Sequence, residues 1–126
     1  MRWQKAPEIQ REVERLIERG FSWIEAGRVK EFRSYGSKSR AVARVWGLPK
    51  IWQLALGIKS HYCVELVSER FDRQSRGDRR RVLIHELMHI PKNFSGSLLP
   101  HKSRGRAINR EEVEKMVKKI NAINSR

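Results

Sequence analysis

The segment Val82-Leu83-Ile84-His85-Glu86-Leu87-Met88-His89-Ile90 restricts the fold more than any other part of the chain. At about 100° per residue of an α-helix, Val82, His85, Glu86 and His89 share one arc, while Leu83, Ile84, Leu87, Met88 and Ile90 cover the other side. Such a helix must bury its apolar side against other elements and still leave the histidine-bearing face on a cleft or an internal cavity. Pro91 stops it, because the proline ring clashes with the preceding turn, and Ser75 or Asp78 is placed to cap its start. Two histidines four residues apart stand one above the other, so both imidazoles can reach a single metal ion, with Glu86 beside them as a base.

The remaining elements follow from spacing and punctuation. From Pro7 to Gly20, Ile9, Val13, Leu16 and Ile17 recur every three or four residues, which predicts an amphipathic helix with proline in its first turn and glycine at its stop. Arg28 to Ser34 reads as a short edge strand ending at the turn Tyr35-Gly36-Ser37. Ala41 to Trp46 and Ile51 to Leu56 are rich in β-branched and aromatic residues and read as two more strands, the second with a helical turn as its alternative. Tyr62 to Val67 alternates Tyr62, Val64 and Leu66 against Cys63, Glu65 and Val67, the period of a strand with two unlike faces. A loop rich in Gly, Ser and Pro leads to a last helix capped by Asn109, with Val113, Met116, Val117 and Ile120 as its apolar stripe. The fold class expected is therefore α+β, one compact domain over residues 1–126: an N-terminal helix, a small sheet of three to four strands, the histidine-bearing helix and a C-terminal helix.

Composition narrows the chemistry. With 39% hydrophobic and 33% charged residues the chain can build a modest core, and no apolar run approaches the length of a membrane span. Met1-Arg2-Trp3-Gln4-Lys5-Ala6-Pro7-Glu8 has no apolar leader segment, so a cytoplasmic location without a membrane partner is expected. Cys63 is the only cysteine, which excludes an intrachain disulfide and a cysteine-rich zinc ribbon. Any metal must be held by histidine and carboxylate. The formal charge of +14 points to an acidic partner such as nucleic acid. Trp3, Trp23, Trp46 and Trp52 could stack on bases, although core packing is the expected use of most of them.

A catalytic zinc site takes three protein ligands and leaves one position open. The metzincin extension would need Gly and His where this chain has Lys92 and Ser95, so that subclass is excluded. His101, at the end of Ser97-Leu98-Leu99-Pro100-His101, is the expected third ligand, since a loop of that length can fold back over the helix end. Glu111, Glu112 and Glu114 are the competitors, though acids in a first helical turn also complement the helix dipole. His61 reads as an ordinary loop residue. With three ligands in place a zinc ion lowers the pKa of its water towards about 7, and Glu86 takes the proton and delivers it to the leaving amine. That is the logic of peptide hydrolysis, and the same water activation would also serve other hydrolyses. Tyr62 to Val67 is the candidate edge strand for pairing with an extended substrate, with Tyr62, Val64 and Leu66 along it. Tyr35, Tyr62 or a nearby arginine is a candidate for stabilising the oxyanion.

The sequence resembles the small zincin-like metallopeptidases, specifically the SprT-like group and a related set of phage and archaeal metallopeptidases. The likeness covers roughly residues 28–102 and rests on Ala41-Val42-Ala43-Arg44-Val45-Trp46, on Tyr62-Cys63-Val64-Glu65-Leu66-Val67, and above all on Ile84-His85-Glu86-Leu87-Met88-His89-Ile90 followed by Leu99-Pro100-His101. It implies one zinc ion on His85, His89 and His101, with Glu86 as the base. In SprT-like proteins the activity is proteolysis of proteins attached to DNA, which would suit the basic surface. The cysteine-rich ribbon of many of them is missing here, so DNA contacts would fall to Arg79, Arg80 and Arg81 or to Lys102, Arg104 and Arg106. A basic nucleic-acid-binding module with a structural metal or none is the alternative reading.

Overall fold

The computed structural model describes residues 1–103 and 106–124. It is α+β, with four strands in one mixed sheet and helices against it. The N-terminal helix, α1 (Pro7–Gly20), has the predicted bounds and buries Ile9, Val13, Leu16 and Ile17. Ahead of it lies a strand the hydropathy pattern does not announce, β1 (Arg2–Lys5), whose side chains are all exposed. β1 pairs antiparallel with β2 (Val29–Tyr35), so β2 is an interior strand rather than the edge expected for Arg28 to Ser34.

β3 (Ala43–Gly47) follows, but Ile51 to Leu56 is helical: α2 spans Lys50–Leu56 and ends on Gly57 in the left-handed region (φ 66°). The apolar run there looks strand-like only if its side chains are buried. Instead Gln53 is the buried residue of α2, and Ile51 and Leu54 are 73% and 70% exposed. Gln53 is drawn in because its amide donates to the carbonyls of Leu48 and Ser95, each at 2.8 Å.

β4 (Tyr62–Val67) lies parallel to β2 and antiparallel to β3, giving the order β1-β2-β4-β3. Both of its sides are therefore paired, and the expectation that Tyr62, Val64 and Leu66 form an edge open to a substrate backbone is corrected. The free edge beside the histidine helix belongs to β3. Pairing places Val29, Glu31 and Arg33 of β2 on the same face as Tyr62, Val64 and Leu66 of β4 and Ala43 and Val45 of β3. That face meets the helices and holds the core.

A short helix, α3 (Ser68–Phe71), leads into α4 (Arg76–Met88), which the Ser75 hydroxyl caps by accepting from the amide of Asp78 at 3.1 Å. α4 buries Leu83, Ile84, Leu87 and Met88. After the loop from Pro91, a two-stranded ribbon of β5 (Lys102–Ser103) and β6 (Arg106–Ala107) precedes α5 (Arg110–Asn124). Asn109 caps α5 as expected, accepting from the amide of Glu112 at 2.9 Å. Val113 and Ile120 of α5 are buried against the same core as α1 and α4. No helix is long and apolar enough to cross a membrane, among the described residues.

Candidate metal centre

His85 and His89 are held by α4 and its C-cap, and His101 arrives from the far end of the following loop. That loop is fastened by buried polar groups. The Tyr62 hydroxyl donates to the carbonyl of Ser97 at 2.9 Å and accepts from the amide of Gly96 at 2.7 Å. The Ser60 hydroxyl donates to the carbonyl of Phe94. Gly47 and Gly96 let the two backbones touch, since a Cβ on Gly47 would lie 2.0 Å from the Gly96 oxygen. Beyond this clasp the amide of Leu99 donates to the carbonyl of His89 at 2.8 Å. The chain is thereby folded back along the end of α4, and His101 faces the other two imidazoles.

Their ligand nitrogens all lie within 4.8 Å of one another. The Nε2 atoms of His85 and His101 are 3.1 Å apart, and those of His89 and His85 are 3.3 Å apart. A tetrahedral ion with bonds of 2.0–2.1 Å to imidazole separates its ligand nitrogens by about 3.3 Å. Nδ1 of His89 is 2.5 Å from the carbonyl oxygen of Leu99, an acceptor only, so that nitrogen carries the proton and Nε2 presents a lone pair. Burial, with His89 and His101 nearby as like charges, lowers the pKa of His85 to about 4. Burial also lowers that of His89. Three imidazoles aimed at one point, with His85 and His89 held neutral by burial, fit a divalent cation.

Glu86 is 9% exposed, and burial raises its pKa to about 7. It borders a cleft of ≈ 570 Å³ walled by Val42 and Ala43 at the start of β3, by Arg81, Val82 and His85 of α4, and by Arg110, Val113 and Glu114 of α5. Two of its lining residues, Val42 and Ala43, stand at the start of β3, the last strand of the sheet. Glu114 forms an ion pair with Arg81, and Glu112 one with Lys115 at 3.1 Å. The metal-competent group contains neither of them nor Glu111, among the described residues. His61 stands apart, its Nδ1 2.8 Å from the carbonyl of Lys59.

The two tyrosines weighed for the oxyanion do not line the cleft. The Tyr62 hydroxyl is committed to the loop, and the Tyr35 ring lies under the Arg2 guanidinium at 4.5 Å. Arg81 and Arg110 do line it, and Arg110 escaped sequence reasoning because nothing in the sequence links the first residue of the last helix to the cleft. Of the basic residues singled out, Arg81 is paired with Asp78 and Glu114, and Arg79 stacks over Phe71 and donates to the carbonyl of Gln74. Arg80 shares a groove with Arg15, Arg19, Arg76 and Glu12. Lys102 and Arg106 fall in the β5–β6 ribbon, and Arg104 lies outside the described residues. Three of the four tryptophans, Trp3, Trp46 and Trp52, are surface residues rather than core. Trp23 packs on Phe21 and donates to the carbonyl of Ile90.

Comparison with curated proteins finds no match, and comparison with solved structures finds none either. The family described as "Putative phage metallopeptidase" has a model that matches residues 1–121, and with nearly the whole chain and three convergent histidines accounted for, the chain belongs to this metallopeptidase family.

Proposed function

We propose that the protein is a zinc-dependent peptidase in which His85, His89 and His101 hold one ion and Glu86 is the general base. The observation that carries this reading is the convergence of three imidazole nitrogens beside a buried carboxylate on an open cleft. Zinc held there supplies Lewis-acid polarisation, which brings the acidity of water close to neutrality. Glu86, with its proton affinity raised to the same range, takes one proton from the attacking water onto a carboxylate oxygen. As the water oxygen bonds to the carbonyl carbon and the C–N bond breaks, Glu86 returns that proton to the departing amine. The Leu99 carbonyl holds the His89 ring in one tautomer throughout. An extended substrate gains backbone hydrogen bonds from the free edge of β3, whose first residues border the cleft beside Glu86.

Digestion of an unfolded protein substrate by zinc-loaded wild type and Glu86→Gln tests the reading. The wild type should cleave, and the variant should bind zinc yet be slower by about 10²-fold or more. Equal cleavage by both would overturn the assignment of the base.

A finer reading is that the substrates are proteins held on DNA inside the cell. It is favoured by the arginine groove, where Arg15, Arg19, Arg76 and Arg80 face one another around Glu12 and four like charges attract a polyanion. Cleavage of DNA-bound over free protein at low salt, with the preference fading as salt rises, is the expected result.

A further inference from the structure

The sheet face turned away from the helices is covered at Ser34 and Val67 and exposed around Trp3 and Trp46. Strand pairing places Trp3 and Lys5 of β1, Lys30 and Phe32 of β2, Cys63 and Glu65 of β4, and Arg44 and Trp46 of β3 on it. Trp3 and Trp46 are 49% and 50% exposed. With Phe32 they wall a shallow apolar groove of ≈ 450 Å³ floored by Cys63, Val64 and Glu65.

The aromatic walls are held from below. Glu65 is 1% exposed, and its carboxylate accepts from the Ser34 hydroxyl at 2.6 Å, from Arg44 at 3.1 and 3.3 Å, and from the Trp46 indole nitrogen at 3.0 Å. The Arg44 guanidinium also lies 5.1 Å from the centre of the Trp46 ring. A buried carboxylate is costly, and this one fixes the orientation of a solvent-exposed indole and a guanidinium. A flat aromatic surface held rigid before a ligand arrives loses little entropy on binding. Around it Lys5, Lys30 and Arg44 outnumber the single carboxylate, and among the described residues neither lysine has an ion pair.

We propose that this face binds single-stranded nucleic acid, with bases stacking on Trp46, Trp3 and Phe32 and phosphates meeting Lys5, Lys30 and Arg44. Exposed π-surfaces interleaved with cations suit a strand whose bases are free to stack, whatever their identity. A duplex keeps its bases inside and cannot use the aromatics. An alkylammonium ligand meets three cations, and a second copy of the chain related by a two-fold axis sets those cations against themselves. The face lies across the sheet from α4, so the inference does not rest on the peptidase reading.

The test is titration of the full chain with a short oligodeoxythymidylate, reading tryptophan fluorescence and the anisotropy of a label on the oligonucleotide. Binding should quench tryptophan emission and weaken steeply with salt. Trp3→Ala and Trp46→Ala should each weaken it about tenfold, and Lys30→Glu should weaken it without touching an aromatic. Trp52→Ala on α2 and His85→Ala should leave it unchanged, with folding checked by circular dichroism in every case. Undiminished affinity in both Trp3→Ala and Lys30→Glu, full competition by duplex of equal length, or no binding at low salt would overturn the proposal. So would self-association abolished by Trp46→Ala, which would give the face to a second copy.

Discussion

At the level of single residues, the centre depends on protons being kept where the chemistry needs them. In the proposed centre His89 can serve as a ligand because the Leu99 carbonyl takes its Nδ1–H, and His85 because burial keeps it neutral into acid. The same physics acts on a carboxyl away from the cleft. Glu31 is 6% exposed on the helix-facing side of β2, and burial, with Glu14 as a like charge, raises its pKa to about 7. Between pH 4.5, its ordinary value, and about 7 the unfolded chain ionises at this position while the folded chain keeps the proton. The contribution of Glu31 is thus fully present below that window and is lost as pH rises through it. Glu31→Gln should therefore gain stability over wild type as pH rises, by about 3 kcal/mol at pH 8, in urea unfolding at pH 4 and 8. An unchanged gap between the two proteins would contradict burial as the cause. His85, Glu86 and His89 are legible in the sequence because a helical period of 3.6 turns a spacing of four into a shared face. The Leu99 carbonyl is not, since a backbone acceptor has no residue-type signature.

At the level of elements, the loop between α4 and β5 is what sets His101 opposite α4. Tyr62→Phe removes one donor and one acceptor that serve Gly96 and Ser97. It should cost about 1–3 kcal/mol of stability and weaken zinc binding, measured by urea unfolding and competitive metal titration. Gly47→Ala should do the same more severely, because its Cβ meets the backbone of Gly96 rather than a yielding side chain. Zinc affinity unaltered in both variants would show that His101 is positioned by something other than this clasp. The elements differ in how readable they are. α1 and α4 declare themselves by apolar periodicity, a cap and a proline or glycine at the right end. β1 does not, because Arg2 to Lys5 pairs through its backbone and exposes every side chain, leaving no buried apolar face to read. α2 misleads because its apolar side chains point outward while Gln53 is buried for its hydrogen bonds. Whether Tyr62 to Val67 is an edge depends on β3 and β2 pairing with it, a non-local fact that alternation along one strand cannot express.

At the level of the whole molecule, helices cover one face of the sheet and leave the other to aromatic and basic side chains, while the cleft lies where β3, α4 and α5 meet. Ions bound only by the folded chain must stabilise it: at a free zinc concentration of about 100 times Kd the gain is about 2.7 kcal/mol. For a chain of this length that raises Tm by roughly 5–15 °C, a shift that calorimetry with and without zinc should show and that His101→Ala should reduce. The three-histidine centre is tested most directly by the metal content of the purified protein, determined by elemental analysis for wild type, Glu86→Gln and His101→Ala side by side. One equivalent of zinc is expected in wild type and Glu86→Gln and markedly less in His101→Ala. Absence of metal from wild type even after zinc is supplied, or a full equivalent in His101→Ala, would contradict a three-histidine centre.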